Sequence, residues 1–86
     1  MDDAIIRDYI SRELVRDPRL LPLENSTPLL ESGILDSLSL LRLVVFIQEQ
    51  YGIVLDNLDL VPEHFVSVDA ICTFLRSRAD GRAAAL

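Results

Sequence analysis

The sequence predicts an all-α domain: three long helices, one short one and a long first loop. Three stretches place apolar residues at helical spacing, each bounded by start or stop signals. No stretch alternates convincingly as a strand, although Ile53-Val54-Leu55 suits extended backbone. A chain of 86 residues is one small domain, and such a domain buries only about 60% of its unfolded surface. A hydrophobic share of 50%, mostly Leu, Ile and Val, compensates for that thin core.

The first helix is expected over residues 2–16. Asp2 and Asp3 suit the positive end of its dipole, and Ile6, Tyr9, Ile10 and Leu14 fall on one face. Asp17-Pro18 stops it, because a residue before proline avoids helical angles. Residues 18–36 then form a connection longer than the usual loop, and such loops are commonly functional. This one is apolar enough to pack inward through Leu20, Leu21, Leu23, Leu29, Leu30, Ile34 and Leu35. Thr27-Pro28 reads as a cap and first-turn proline for a single turn over 28–32. Gly33 supplies an unusual backbone angle.

The central helix spans 37–51, capped by Asp36 and stopped by Gly52. Its core stripe is Leu40, Leu43, Val44, Ile47 and Tyr51. A second stripe, Leu38, Leu41 and Val45, is either covered by the long loop or left open for a partner. Ser39 and Arg42 read as outward breaks in this apolar surface. Pro62 opens a short turn over 61–65. Ser67 caps a last helix over about 68–78, with Val68, Ile71, Cys72 and Leu75 facing inward. The folded unit is thus 1–78, and residues 79–86 read as a flexible tail.

The net charge is −6, with 14 acids against 8 basic residues, which disfavours nucleic acid as a partner. A single cysteine excludes an intramolecular disulfide. The N-terminus is acidic where a signal peptide is basic. The longest apolar run falls far below the roughly 20 residues of a membrane span. These features predict a soluble cytoplasmic protein, expected as a monomer.

The informative stretch is Gly33-Ile34-Leu35-Asp36-Ser37-Leu38. Ser37 stands at a helix start on a loop edge, where the dipole and the unpaired N–H groups favour an attached phosphate. A serine hydrolase is disfavoured: the one histidine, His64, lies on another segment and no Gly-x-Ser-x-Gly elbow exists. One His, one Cys and scattered acids give no metal-ligand spacing. The bland alternative makes Ser37 an ordinary first residue of a helix and Asp36 only its cap.

The stretch 33–38 resembles the phosphopantetheine attachment motif of acyl carrier proteins and peptidyl or aminoacyl carrier domains. The similarity covers roughly residues 3–78. It includes Tyr51-Gly52-Ile53, Pro62-Glu63-His64-Phe65 and Ser67-Val68-Asp69-Ala70-Ile71. It implies a small four-helix carrier bundle that is not an enzyme. A phosphopantetheinyl transferase would esterify Ser37 using coenzyme A and Mg²⁺, with Asp36 helping to place metal and donor. The 4'-phosphopantetheine arm would hold an acyl or aminoacyl group as a thioester. An acyl- or aminoacyl-loading ligase would charge it, and downstream acyl-processing enzymes would receive the cargo.

Leu38, Leu41, Arg42 and Val45 are the expected partner-binding residues. Fatty-acid-type carriers stud this helix with acids, whereas only Glu49 is acidic here. The pattern is more similar to stand-alone aminoacyl, peptidyl and secondary-metabolite carriers. Met1 opens the chain and no interdomain linker is visible, so a freestanding protein is expected. The rival reading is a small helical interaction module without a prosthetic group.

Overall fold

The apolar stripes become the contact faces of three helices. The structure, a computed structural model, describes residues 3–85, with side chains through residue 78. Helix α1 is Asp3–Tyr9, α2 is Ser37–Tyr51 and α3 is Val68–Ala85. Two short 3-10 turns, Pro18–Leu20 and Pro62–Phe65, complete the regular structure. The described residues contain no strand. The expected all-α architecture of three helices and a short proline-led turn is therefore the observed one.

The core collects the predicted faces: Ile6, Ile10 and Leu14; Leu43, Val44 and Ile47; Val68, Ile71, Cys72 and Leu75. Phe65, from the turn before α3, is also buried there. Leu40, Tyr51 and Tyr9 are half-buried at its margin. The Tyr9 ring stacks on Phe46 with centroids 4.0 Å apart, joining α1 to α2.

The first segment departs from a uniform helix. Beyond Tyr9 it widens into a π-helical turn, Ile10–Leu14, and the Val15 N–H donates to the Ile10 carbonyl at 3.0 Å. Val15 is extended, so the helical run ends short of residue 16. Asp17 does more than stop it: its carboxylate accepts the Arg19 N–H and caps the 3-10 turn that Pro18 opens.

The long loop is stitched to both neighbours. The Leu29 N–H donates to the Val66 carbonyl at 2.8 Å, and the Asp69 N–H donates to the Asn25 carbonyl at 3.0 Å. The Asn25 side chain accepts from Arg7 and donates to Asp3. Leu23, Leu29, Ile34 and Leu35 are buried, while Leu21 is exposed, against the expectation that it packs inward. The turn over 28–32 is present, closed by Ser32 N–H to the Pro28 carbonyl at 3.1 Å. Thr27 does not cap it; its hydroxyl accepts the Glu24 N–H instead.

Gly52 ends α2 in the left-handed region, with φ of 64°. The connector that follows is fastened to α3 by Arg78, which pairs with Asp59 and donates to the Val54 carbonyl. Ser67 caps α3 through the Ala70 N–H at 3.1 Å. The backbone of α3 runs on to Ala85 rather than ending near 78. Ala83, Ala84 and Ala85 are the strongest helix formers, and one interior glycine costs only about 1 kcal/mol. The side chains of that extension, and Leu86, lie outside the described residues.

Candidate functional site

Ser37 is the first residue of α2 and is exposed at its tip. The chain reaches it through Gly33, whose φ of 81° lies where side chains are disfavoured. Ile34 and Leu35 then anchor the segment by burying their side chains, and the Leu35 N–H donates to the Leu29 carbonyl at 3.0 Å. Two buried leashes thus hold an exposed Asp36-Ser37 corner at a fixed place.

Asp36 is the cap that the sequence predicts. Its carboxylate accepts the Ser39 N–H at 2.8 Å. That backbone bond, the Ser39 hydroxyl and a weaker reach to the Leu38 N–H hold the carboxyl below its ordinary pKa, with help from the Arg16 charge. The helix tip is therefore not a set of free donors waiting for a phosphate. Asp36 already engages the Ser39 N–H with a negative charge of its own.

Ser39 requires a correction. The sequence reading places it outward, yet it is 3% exposed. It lies four residues before Leu43 and eight before Ile47, on the core face of the helix. Its hydroxyl is tolerated there because Asp36 partners it. Among the described residues no buried side-chain nitrogen or oxygen lacks a partner.

The second stripe is open rather than covered. Leu38, Leu41 and Val45 are 61%, 59% and 44% exposed, in a row leading from the Ser37 tip. Arg42 is exposed beside them but engaged with its own chain. Its Nη1 donates to the Glu13 carbonyl at 3.3 Å, tying α2 to the end of the π-helical turn.

A cleft of about 210 Å³ opens on the other side of the tip, lined in part by Leu14, Arg16, Leu20, Ile34, Asp36 and Ser39. Arg16, to which the sequence analysis assigns no role, enters because the chain leaves the helix at Val15. A cation set between a helix end and Asp17-Pro18 is the sequence signal for it.

His64 stands apart from the serine. Its Nδ1 donates to the Asp59 carbonyl at 2.8 Å and its ring stacks on Phe74. Cys72 is buried in α3, and burial pushes its thiol pKa up. No helix of the described residues is long and apolar enough to cross a membrane.

A small helical bundle that holds one serine out at the tip of its central helix defines a carrier-type fold. The family model described as "Phosphopantetheine attachment site" matches residues 4–75, and the chain belongs to that family. Its domains bear a covalently attached 4'-phosphopantetheine. An exposed hydroxyl at a rigid corner suits such attachment. A solved chain from a structure described as "Crystal structure of FAD-dependent dehydrogenase" matches with 36% identity and a TM-score of 0.69. The match covers 81% of this chain and 97% of that one. No curated protein matches the chain.

Proposed function

We propose that this protein is a freestanding carrier that holds an acyl or aminoacyl group as a thioester on a phosphopantetheine arm at Ser37. The observation that carries this reading is the exposed Ser37 at the tip of α2, inside the span of the family match. A phosphopantetheinyl transferase would attach the arm, with Asp36 placing metal and donor from the carboxylate edge that the helix leaves free. A loading ligase would charge the arm's thiol. Tethering then replaces free diffusion with a high effective concentration at each partner.

Leu38, Leu41 and Val45 are the docking ridge in this reading, and Arg42 flanks them. Their exposure supports it, since an apolar row on a small domain marks a contact surface. The carrier unit ends near residue 78, close to where the family match stops at 75. Residues 79–86 are an appendage, the protein is a monomer, and it works in the cytoplasm. The pathway is one of secondary-metabolite type, because α2 lacks the acids of fatty-acid-type carriers.

An FAD-dependent dehydrogenase is among the partners we propose, on the strength of the solved neighbour. The match spans nearly all of that chain, so it is itself no larger than this one. The described residues contain no strand, and so no sheet end at which to hold a dinucleotide. The flavin would belong to the partner, which would take two electrons and two protons from the tethered acyl group.

Intact mass after incubation with coenzyme A, Mg²⁺ and a promiscuous transferase tests the reading. One added phosphopantetheine, absent in Ser37→Ala, is expected. No gain in the unaltered chain overturns it and favours the interaction module.

A further inference from the structure

Modification of Ser37 brings a second negative charge to a helix tip that Asp36 already occupies. The phosphodiester of the arm gains less from the amide donors there than a bare helix end would offer. Water and salt screen both charges at this exposed corner, and a cation in reach of it adds to that offset.

Arg16 is placed for this. It lines the cleft that Asp36 also lines, and among the described residues it is the one whose charge bears on the Asp36 carboxylate. The other acid of that cleft, Asp17, is taken by Arg19 in a 3.0 Å ion pair. Arg16 itself has no hydrogen bond or ion pair among the described residues. Its backbone position is set by the π-helical turn, after which Val15 turns extended and carries Arg16 off the helix. The cleft floor is apolar: Leu14 and Ile34 are buried and Leu20 is half-buried.

Resting on the reading of Ser37 as the attachment residue, we infer that Arg16 receives the arm's phosphodiester and lays the arm's first segment over Leu14, Leu20 and Ile34. A guanidinium matches a phosphate's oxygens two at a time, which a lysine does not. The floor accepts the branched methyl groups that follow the phosphate. A cavity of about 210 Å³ holds this part of the arm and leaves the thiol end free. Arg16 is a positioning residue here, and its contact is exposed and therefore salt-sensitive.

The test compares amide spectra of the full-length ¹⁵N-labelled chain before and after conversion with coenzyme A and transferase. Conversion is expected to shift the amides of residues 14–20 and 32–36 and the Arg16 Nε–H. Contacts should appear between the arm's methyl protons and Leu20 or Ile34. In Arg16→Gln, mass analysis should still show conversion, with the shifts at 14–20 reduced at least about twofold. Arg16→Lys should restore them only in part, and Arg12→Gln should leave them unchanged. At about 1 M salt, where the Debye length is about 3 Å, the wild-type shifts should shrink. A wild-type pattern in converted Arg16→Gln overturns the inference, as do shifts confined to Leu38 and the α3 side. Absence of any mass gain in the unaltered chain is a different failure: it removes the Ser37 reading itself, and this inference with it.

Discussion

The Asp36 carboxylate accepts the Ser39 N–H at 2.8 Å, with Ser37 exposed between them and Ser39 buried. The cap thus fixes the direction in which Ser37 faces. Asp36 and Ser39 form a short brace whose inner end is in the core and whose outer end is in water. Rotation of the α2 tip would cost both the hydrogen bond and the burial.

Asp36→Ala should lower the melting temperature and slow modification of Ser37 together. Asp36→Asn keeps a capping oxygen, so it should recover most of the thermal stability while modification stays slow. Calorimetry and a timed mass assay separate the two effects. Equal recovery of both would reduce Asp36 to a cap alone.

The same carboxylate makes stability depend on acid. Its folded pKa is depressed, so its contribution is complete above the unfolded value of about 3.9. That contribution is lost as pH falls through the lower folded value. The melting-temperature gap between the wild type and Asp36→Ala should therefore be constant from about pH 5 to 7 and close toward pH 2. A gap independent of pH would show that the charge is not what caps the helix.

Leu43→Ala and Leu41→Ala lie two residues apart on α2 and should behave oppositely. Leu43 is fully buried, and its truncation should cost about 2–5 kcal/mol in denaturant unfolding. Leu41 is 59% exposed, and its truncation should stay within about 0.5 kcal/mol. Transfer of cargo to a partner enzyme should fall in Leu41→Ala alone of the two once folded protein is matched.

Gly33→Ala should destabilise by about 1–2 kcal/mol, because φ of 81° is unfavourable for an L side chain. No atom stands within 4 Å of the added methyl, so the cost is in the backbone and not a clash. Chemical denaturation measures it. A neutral result would mean that the loop relaxes without disturbing the Ser37 corner.

Helix faces were readable because burial follows spacing: Val68, Ile71, Cys72 and Leu75 all turn inward as their register requires. Gly52 and Ser67 were readable because their roles are local. Ser39 was misread because its polarity outweighed its register, although Leu43 and Ile47 one and two steps along show which face it shares. The π-helical turn at Ile10–Leu14 leaves no mark in the apolar pattern, since one wider turn keeps Ile10 and Leu14 in the core. Arg16 was invisible for that reason: whether a residue two places before Pro18 belongs to the helix or to the loop depends on that turn. The openness of Leu38, Leu41 and Val45 depends on where the long loop settles. Partners distant in sequence, Asn25 with Asp69 and Leu29 with Val66, decide that.

Cys72 is sealed in the α3 face with its sulfur kept protonated by burial. A protonated, inaccessible sulfur is a poor nucleophile, so the polypeptide does not siphon acyl groups onto itself by exchange. Electrophiles offered to the protein with its arm unloaded meet one competent sulfur, the free thiol at the end of the arm. The chain is thereby chemically mute toward its own freight, and a maleimide or haloacetamide would tag the prosthetic group and leave the scaffold untouched.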